Sequence, residues 1–203
     1  MLSLDPVVKV RSDLPYAWAT LDPARDWIAL NGAASDADVA LVVAILTAEN
    51  SGDYPLPALS AVEAVECLAT SEALVVDGGL LVRRGDLTIE PGCCGDLADW
   101  RGWDGLAPDA LTPWMGHAPA PWIATEADAA VIYADGGAEL GNVPHAQHVR
   151  VSYAEIATAL ASARADLEAF AARLDRWLAQ HAPGDTAFAA LFRDAFVRPP
   201  ESA

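Results

Sequence analysis

The stretch Ser152-Tyr-Ala-Glu-Ile-Ala-Thr-Ala-Leu-Ala-Ser-Ala-Arg-Ala-Asp-Leu-Glu-Ala-Phe-Ala-Ala-Arg-Leu-Asp-Arg-Trp-Leu-Ala-Gln-His181 decides how the rest of the chain is read. Tyr153, Ile156, Leu160, Ala163, Leu167, Phe170, Leu174 and Trp177 recur at alternating steps of three and four. That period places them on one side of an amphipathic helix. Ser152, followed by Glu155 three residues later, supplies a capping box at its start, and Pro183-Gly184 stops it. Arg164 and Glu168 sit one turn apart outside the stripe. At 1.5 Å per residue the helix would run roughly 40 Å. A second helix is expected over about Thr186 to Phe196, with Phe188, Leu191, Phe192, Ala195 and Phe196 on its apolar side. The two make a helical hairpin at 152–197, and the tail beyond Arg198 is expected to fray.

Working back from that helix, Leu80 to Glu90 reads as a β-hairpin turning at Gly85-Asp86. Pairing across the turn sets Val82 against Ile89 and Arg84 against Leu87 on one face, and Arg83 against Thr88 on the other. Ala73 to Val76, Ala129 to Ala134 and His148 to Val151 are short apolar runs bounded by turn formers, and read as further strands. Together these form a small, mainly antiparallel sheet, against which the long helix is expected to pack. Leu59 to Thr70 reads as helix with a Ser60–Glu63 capping box, and Ser35 to Glu49 also reads as helix. Within it, Val39 to Leu46 is apolar enough to suit a buried strand as well. Gly78-Gly79 and Gly136-Gly137 read as plain turns. The fold class is therefore α+β, and 203 residues fit a single domain with a full core.

Between hairpin and helix lies the segment richest in chemistry. Residues 91 to 122 hold four of the seven tryptophans, the adjacent pair Cys93-Cys94 and His117, among many Gly and Pro residues. About 91–125 is expected to be a long Trp-rich loop, a length that tends either to carry function or to be anchored by aromatics. Trp100, Trp103, Trp114 and Trp122 can pack it onto the sheet or present a surface. Asp96, Asp99, Asp104 and Asp109 lie among them, a composition that carbohydrate-active sites also use. The simpler reading has them solvated, with Asp96 or Asp99 capping a short helix at Trp100 to Trp103. Arg101 is expected to pair with Asp99 or Asp104, or to stack on an indole.

Three cysteines are an odd number, and two are adjacent, so reduced thiols are expected rather than a disulfide framework. Cys93 and Cys94 read as buried structural thiols. An activated thiolate would need a cation or a helix N-terminus beside it and a base such as His117, His145 or His148. No Cys-x-x-Cys pair accompanies them, and no cofactor or metal site is expected. No phosphate loop, nucleophile elbow or His-Glu-x-x-His is present.

The formal net charge is −17, and the acids are uneven: residues 1 to 149 carry 22 acids and 6 bases, residues 150 to 203 carry 7 and 6. Such a field repels nucleic-acid phosphates and anionic membranes and attracts basic proteins. No apolar run approaches the roughly 18 to 20 residues that span a bilayer, and no signal segment opens the chain, so a cytoplasmic protein is expected. Pro91-Gly92-Cys93-Cys94-Gly95, with Leu97, Asp99, Trp100, Arg101 and Trp103, resembles a segment of uncharacterised acidic bacterial proteins, some of which resemble immunity proteins of toxin systems. The resemblance spans about thirteen residues and adds to what the net charge and the absence of a catalytic motif support, a non-enzymatic protein whose acidic surface holds a basic partner such as a nuclease-type toxin. Asp96, Asp99, Trp103, Asp104, Asp109 and Trp114 are the candidate contacts. The competing expectation is a thiol-dependent or hydrolytic enzyme using Cys93 or Cys94 with His117 and a loop Asp.

Overall fold

A computed structural model describes residues 1–52, 58–136 and 147–198. His145 and the tail beyond Arg198 lie outside them. The fold is α+β, and the described residues divide into two compact units, one within 1–7 and 77–165 and the other within 8–76 and 166–198. Among the described residues no helix is long and apolar enough to cross a membrane.

In the first unit, strand β1 (Leu2–Lys9, through Val7), β3 (Gly78–Arg84) and β4 (Leu87–Ile89) lie side by side in that order. The β3–β4 hairpin has the register expected of it, Val82 opposite Ile89, Arg83 opposite Thr88 and Arg84 opposite Leu87. A second, antiparallel sheet has the order β5 (Trp122–Thr125), β6 (Ala129–Tyr133), β7 (His148–Ser152). The strands thus form two sheets where one was expected. Arg150 of β7 ties the turn between β5 and β6 by pairing with Glu126 at 3.0 Å and Asp128 at 2.7 Å. Helix α3 (Tyr153–His181) begins here, with Ser152 Oγ accepting from the Glu155 amide and the Glu155 carboxylate accepting from the Ser152 amide at 3.0 Å. Arg84 of the hairpin reaches Glu155 at 3.2 Å.

Gly78 and Gly79 do not form a turn: they open β3. The Gly78 amide donates to the Gly95 carbonyl at 2.8 Å, and a Cβ on Gly79 would stand 3.2 Å from the Pro91 ring, so close backbone passage, not reversal, is their role.

The second unit holds β2 (Trp27–Ala29), α1 (Asp36–Asn50), α2 (Ala61–Ala69), the rest of α3, and α4 (Ala187–Phe192) continued by a π turn at Arg193–Val197. Helix α1 is buried at every position from Val39 to Ala48. A helix enclosed on all sides carries no amphipathic period, which is why its sequence suits a strand equally well. What decides it is the Ser35–Asp38 capping box, with the Asp38 carboxylate accepting from the Ser35 amide at 2.9 Å. Leu167, Phe170, Leu174 and Trp177 of α3 are buried, and Phe170 meets Phe192 with ring centroids 5.8 Å apart. Arg193 pairs with Asp175, which closes the expected helical hairpin.

The strand expected at Ala73 to Val76 is not formed. The Asn50 side-chain amide donates to the Val75 carbonyl at 2.9 Å, and its oxygen accepts from the Val75 amide at 3.0 Å. One side chain therefore takes both backbone groups that a neighbouring strand would have used.

Candidate functional site

The segment after β4 is less irregular than its Gly and Pro content implies. Asp96 caps a 3-10 helix, Leu97–Trp103: its carboxylate accepts from the Ala98 amide at 2.9 Å, and Asp99 returns the bond by accepting from the Asp96 amide at 3.2 Å. Leu97, Trp100 and Trp103 are buried, so this turn anchors the segment beside β3. Arg101 lies over the Trp100 ring at 5.3 Å, one of the partners expected for it.

The six candidate contact residues divide by environment. Trp103 is only 3% exposed and belongs to the core, where its indole holds the loop in place and offers nothing to a partner. Asp96 and Asp99 are half-buried and engaged in the capping box. Burial raises the Asp99 pKa, with the Asp96 amide opposing it. Asp104 is exposed and pairs with Arg164 at 2.6 Å. Asp109 is exposed at φ 61, and Trp114 is 50% exposed. Between them Leu111 is 95% exposed, an apolar tip that composition and periodicity gave no reason to single out. The cavity beneath, lined by Asp96, Asp99, Trp100, Trp103 and Trp114 among others, measures about 10 Å³, room for roughly one water. It holds neither a cysteine nor a histidine.

A second arrangement lies on the flank of the same segment. Cys93 and His117 form an antiparallel bridge, with the Cys93 amide donating to the His117 carbonyl at 2.6 Å and the His117 amide donating to the Cys93 carbonyl at 2.8 Å. The Gly92 amide donates to the Met115 carbonyl at 2.7 Å. The crossing is tight enough to require glycine on both strands. A Cβ on Gly92 would stand 2.2 Å from the Pro119 carbonyl oxygen, and one on Gly116 would stand 2.5 Å from the Gly92 oxygen.

In an extended strand successive side chains point to opposite faces. Cys94 departs from that alternation, with φ 61, and its sulfur, the Cys93 sulfur and a His117 ring nitrogen all lie within 4.8 Å of one another. All three residues are exposed, which corrects the expectation of a buried thiol pair. The bridge brings them to the surface because the glycines let the two backbones, not the side chains, fill the space between. The Trp114 ring meets the His117 ring edge-on at 4.6 Å.

The Cys94 pKa is raised, first by its hydrogen bond with the Cys93 side chain, then by the charge on Cys93, by burial and by the charge on Asp77. An activated nucleophile needs the opposite shift. Asp99 and Asp104 are committed elsewhere, the first to the capping box and the second to Arg164. His148, at the start of β7, lies beside Tyr133 with ring centroids 5.2 Å apart. No family model, no curated protein and no solved structure matches this chain.

Proposed function

We propose that this is a non-enzymatic, acidic binding protein that captures a positively charged protein, of the kind a basic nuclease-type toxin represents, in the manner of an immunity protein. The observation that carries the reading is the loop 104–114. It exposes Leu111 and Trp114 beside Asp104 and Asp109, in a chain whose net charge is −17. Exposed aromatic and aliphatic side chains in a loop that also carries acids are the composition of a contact centre with a steering rim. Trp100 and Trp103 beneath them give the loop a fixed base, so that less order has to be created on binding. The water-sized cavity beside the loop, which holds neither a cysteine nor a histidine, gives a thiol-dependent or hydrolytic enzyme less support.

The test is co-expression with whichever neighbouring genes are found to encode basic proteins. Relief of the toxicity of one of them, and co-purification with it, supports the reading. Failure to associate with any of them while folded contradicts it.

A further inference from the structure

We propose that Cys93, Cys94 and His117 form a binding site for a thiophilic transition-metal ion, with Zn(II) the best match to two sulfurs and one imidazole. The donors are already gathered, each ligand atom within 4.8 Å of the other two. A tetrahedral zinc with Zn–S near 2.3 Å and Zn–N near 2.0 Å needs its donor atoms roughly 3.5 to 3.8 Å apart. The remaining closure is at most about 1.3 Å, which rotation of exposed side chains supplies. Two sulfurs and a nitrogen select zinc over magnesium or calcium, which prefer oxygen.

Two features of the backbone argue for a built arrangement and not a chance meeting of surface residues. The first is the crossing of Gly92 and Gly116, which fixes the separation of the Cys93 and His117 backbones through a reciprocal pair of hydrogen bonds. The second is Cys94 itself, held at φ 61, a conformation that costs a non-glycine residue on the order of 1 kcal/mol or more. That conformation takes its sulfur out of strand alternation and leaves it beside the Cys93 sulfur. Three protein donors leave a fourth position, for water. A closed structural site would be buried and four-ligand. This one is exposed and open.

The experiment uses the full chain, fully reduced, titrated with Zn(II) in excess Mg(II) so that surface carboxylates are occupied by the harder ion. The result expected is one zinc per chain. Bound zinc should protect Cys93 and Cys94 from alkylation while Cys67 keeps its rate, and Co(II) in its place should show thiolate charge-transfer absorption. Cys94→Ser and His117→Ala should each weaken binding by about tenfold or more, with far-UV circular dichroism unchanged because both side chains are exposed. Cys67→Ser should leave binding as it is. No zinc retained in excess Mg(II), or zinc retained equally by Cys94→Ser and His117→Ala, overturns the proposal.

Discussion

Cys93 and His117 exchange both of their backbone hydrogen bonds, and the two strands that carry them cross at Gly92 and Gly116 with no room for a side chain. This crossing pins both ends of the Trp-rich segment, so the loop 104–114 leaves and returns to a fixed base.

Gly92→Ala and Gly116→Ala should therefore each lower stability by about 2 kcal/mol or more, since the added methyl meets backbone oxygens that cannot swing aside. Thermal unfolding checks this, and the same variants should also lose zinc. A change of Tm within error for Gly92→Ala would show that the crossing is looser than 2.2 Å implies.

Leu167 is fully buried in α3, among the residues whose spacing announced the helix. Leu167→Ala should cost about 2 to 5 kcal/mol by chemical denaturation, the span set by how far the site can collapse around the cavity. A loss under about 1 kcal/mol would mean that the stripe is not the core.

Asp99 illustrates an electrostatic cost inside the capping turn. Its raised folded pKa means that the penalty for a charged carboxylate is present at neutral pH and is relieved as pH falls through that raised value toward the unfolded one. Asp99→Asn keeps an oxygen to accept from the Asp96 amide and removes the charge. It should raise Tm at pH 7, by an amount that shrinks on acidification toward roughly pH 4. A variant less stable than the parent at pH 7 would reverse the sign of this argument.

How much of this was legible in the chain depends on whether neighbours in space were neighbours in sequence. The α3 stripe, the Ser152–Glu155 and Ser60–Glu63 boxes and the register of the β3–β4 hairpin are local patterns, and each is present as read. Strand β1 was missed because Pro6, lacking an amide hydrogen, argues against a paired strand, although Leu2, Leu4 and Pro6 alternate with Ser3 and Asp5. The Ala73 to Val76 run has the composition of a strand but meets Asn50 instead of one. The thiol–imidazole cluster is made by a long-range bridge and one left-handed residue, and neither leaves a spacing to recognise. Among the tryptophans, sequence could not separate the buried Trp103 from the exposed Trp114, because both occupy Gly- and Pro-flanked positions.

Long-range steering by the acids gives a kinetic signature. Association with the basic partner should slow steeply as salt rises, since exposed charges are screened beyond about 8 to 10 Å at ordinary ionic strength. Asp104→Asn with Asp109→Asn should lower the on-rate far more than it changes the off-rate. An on-rate indifferent to salt would remove electrostatics from the account.

The most direct measurement is protection against the co-expressed basic partner by a variant carrying Leu111→Ala and Trp114→Ala, with folding verified by cooperative thermal unfolding. Both side chains are exposed, so the fold should survive while binding and protection fall by about a hundredfold, the usual cost of removing a contact centre. Full protection and unchanged affinity in that folded variant would show that the loop 104–114 is not the binding face.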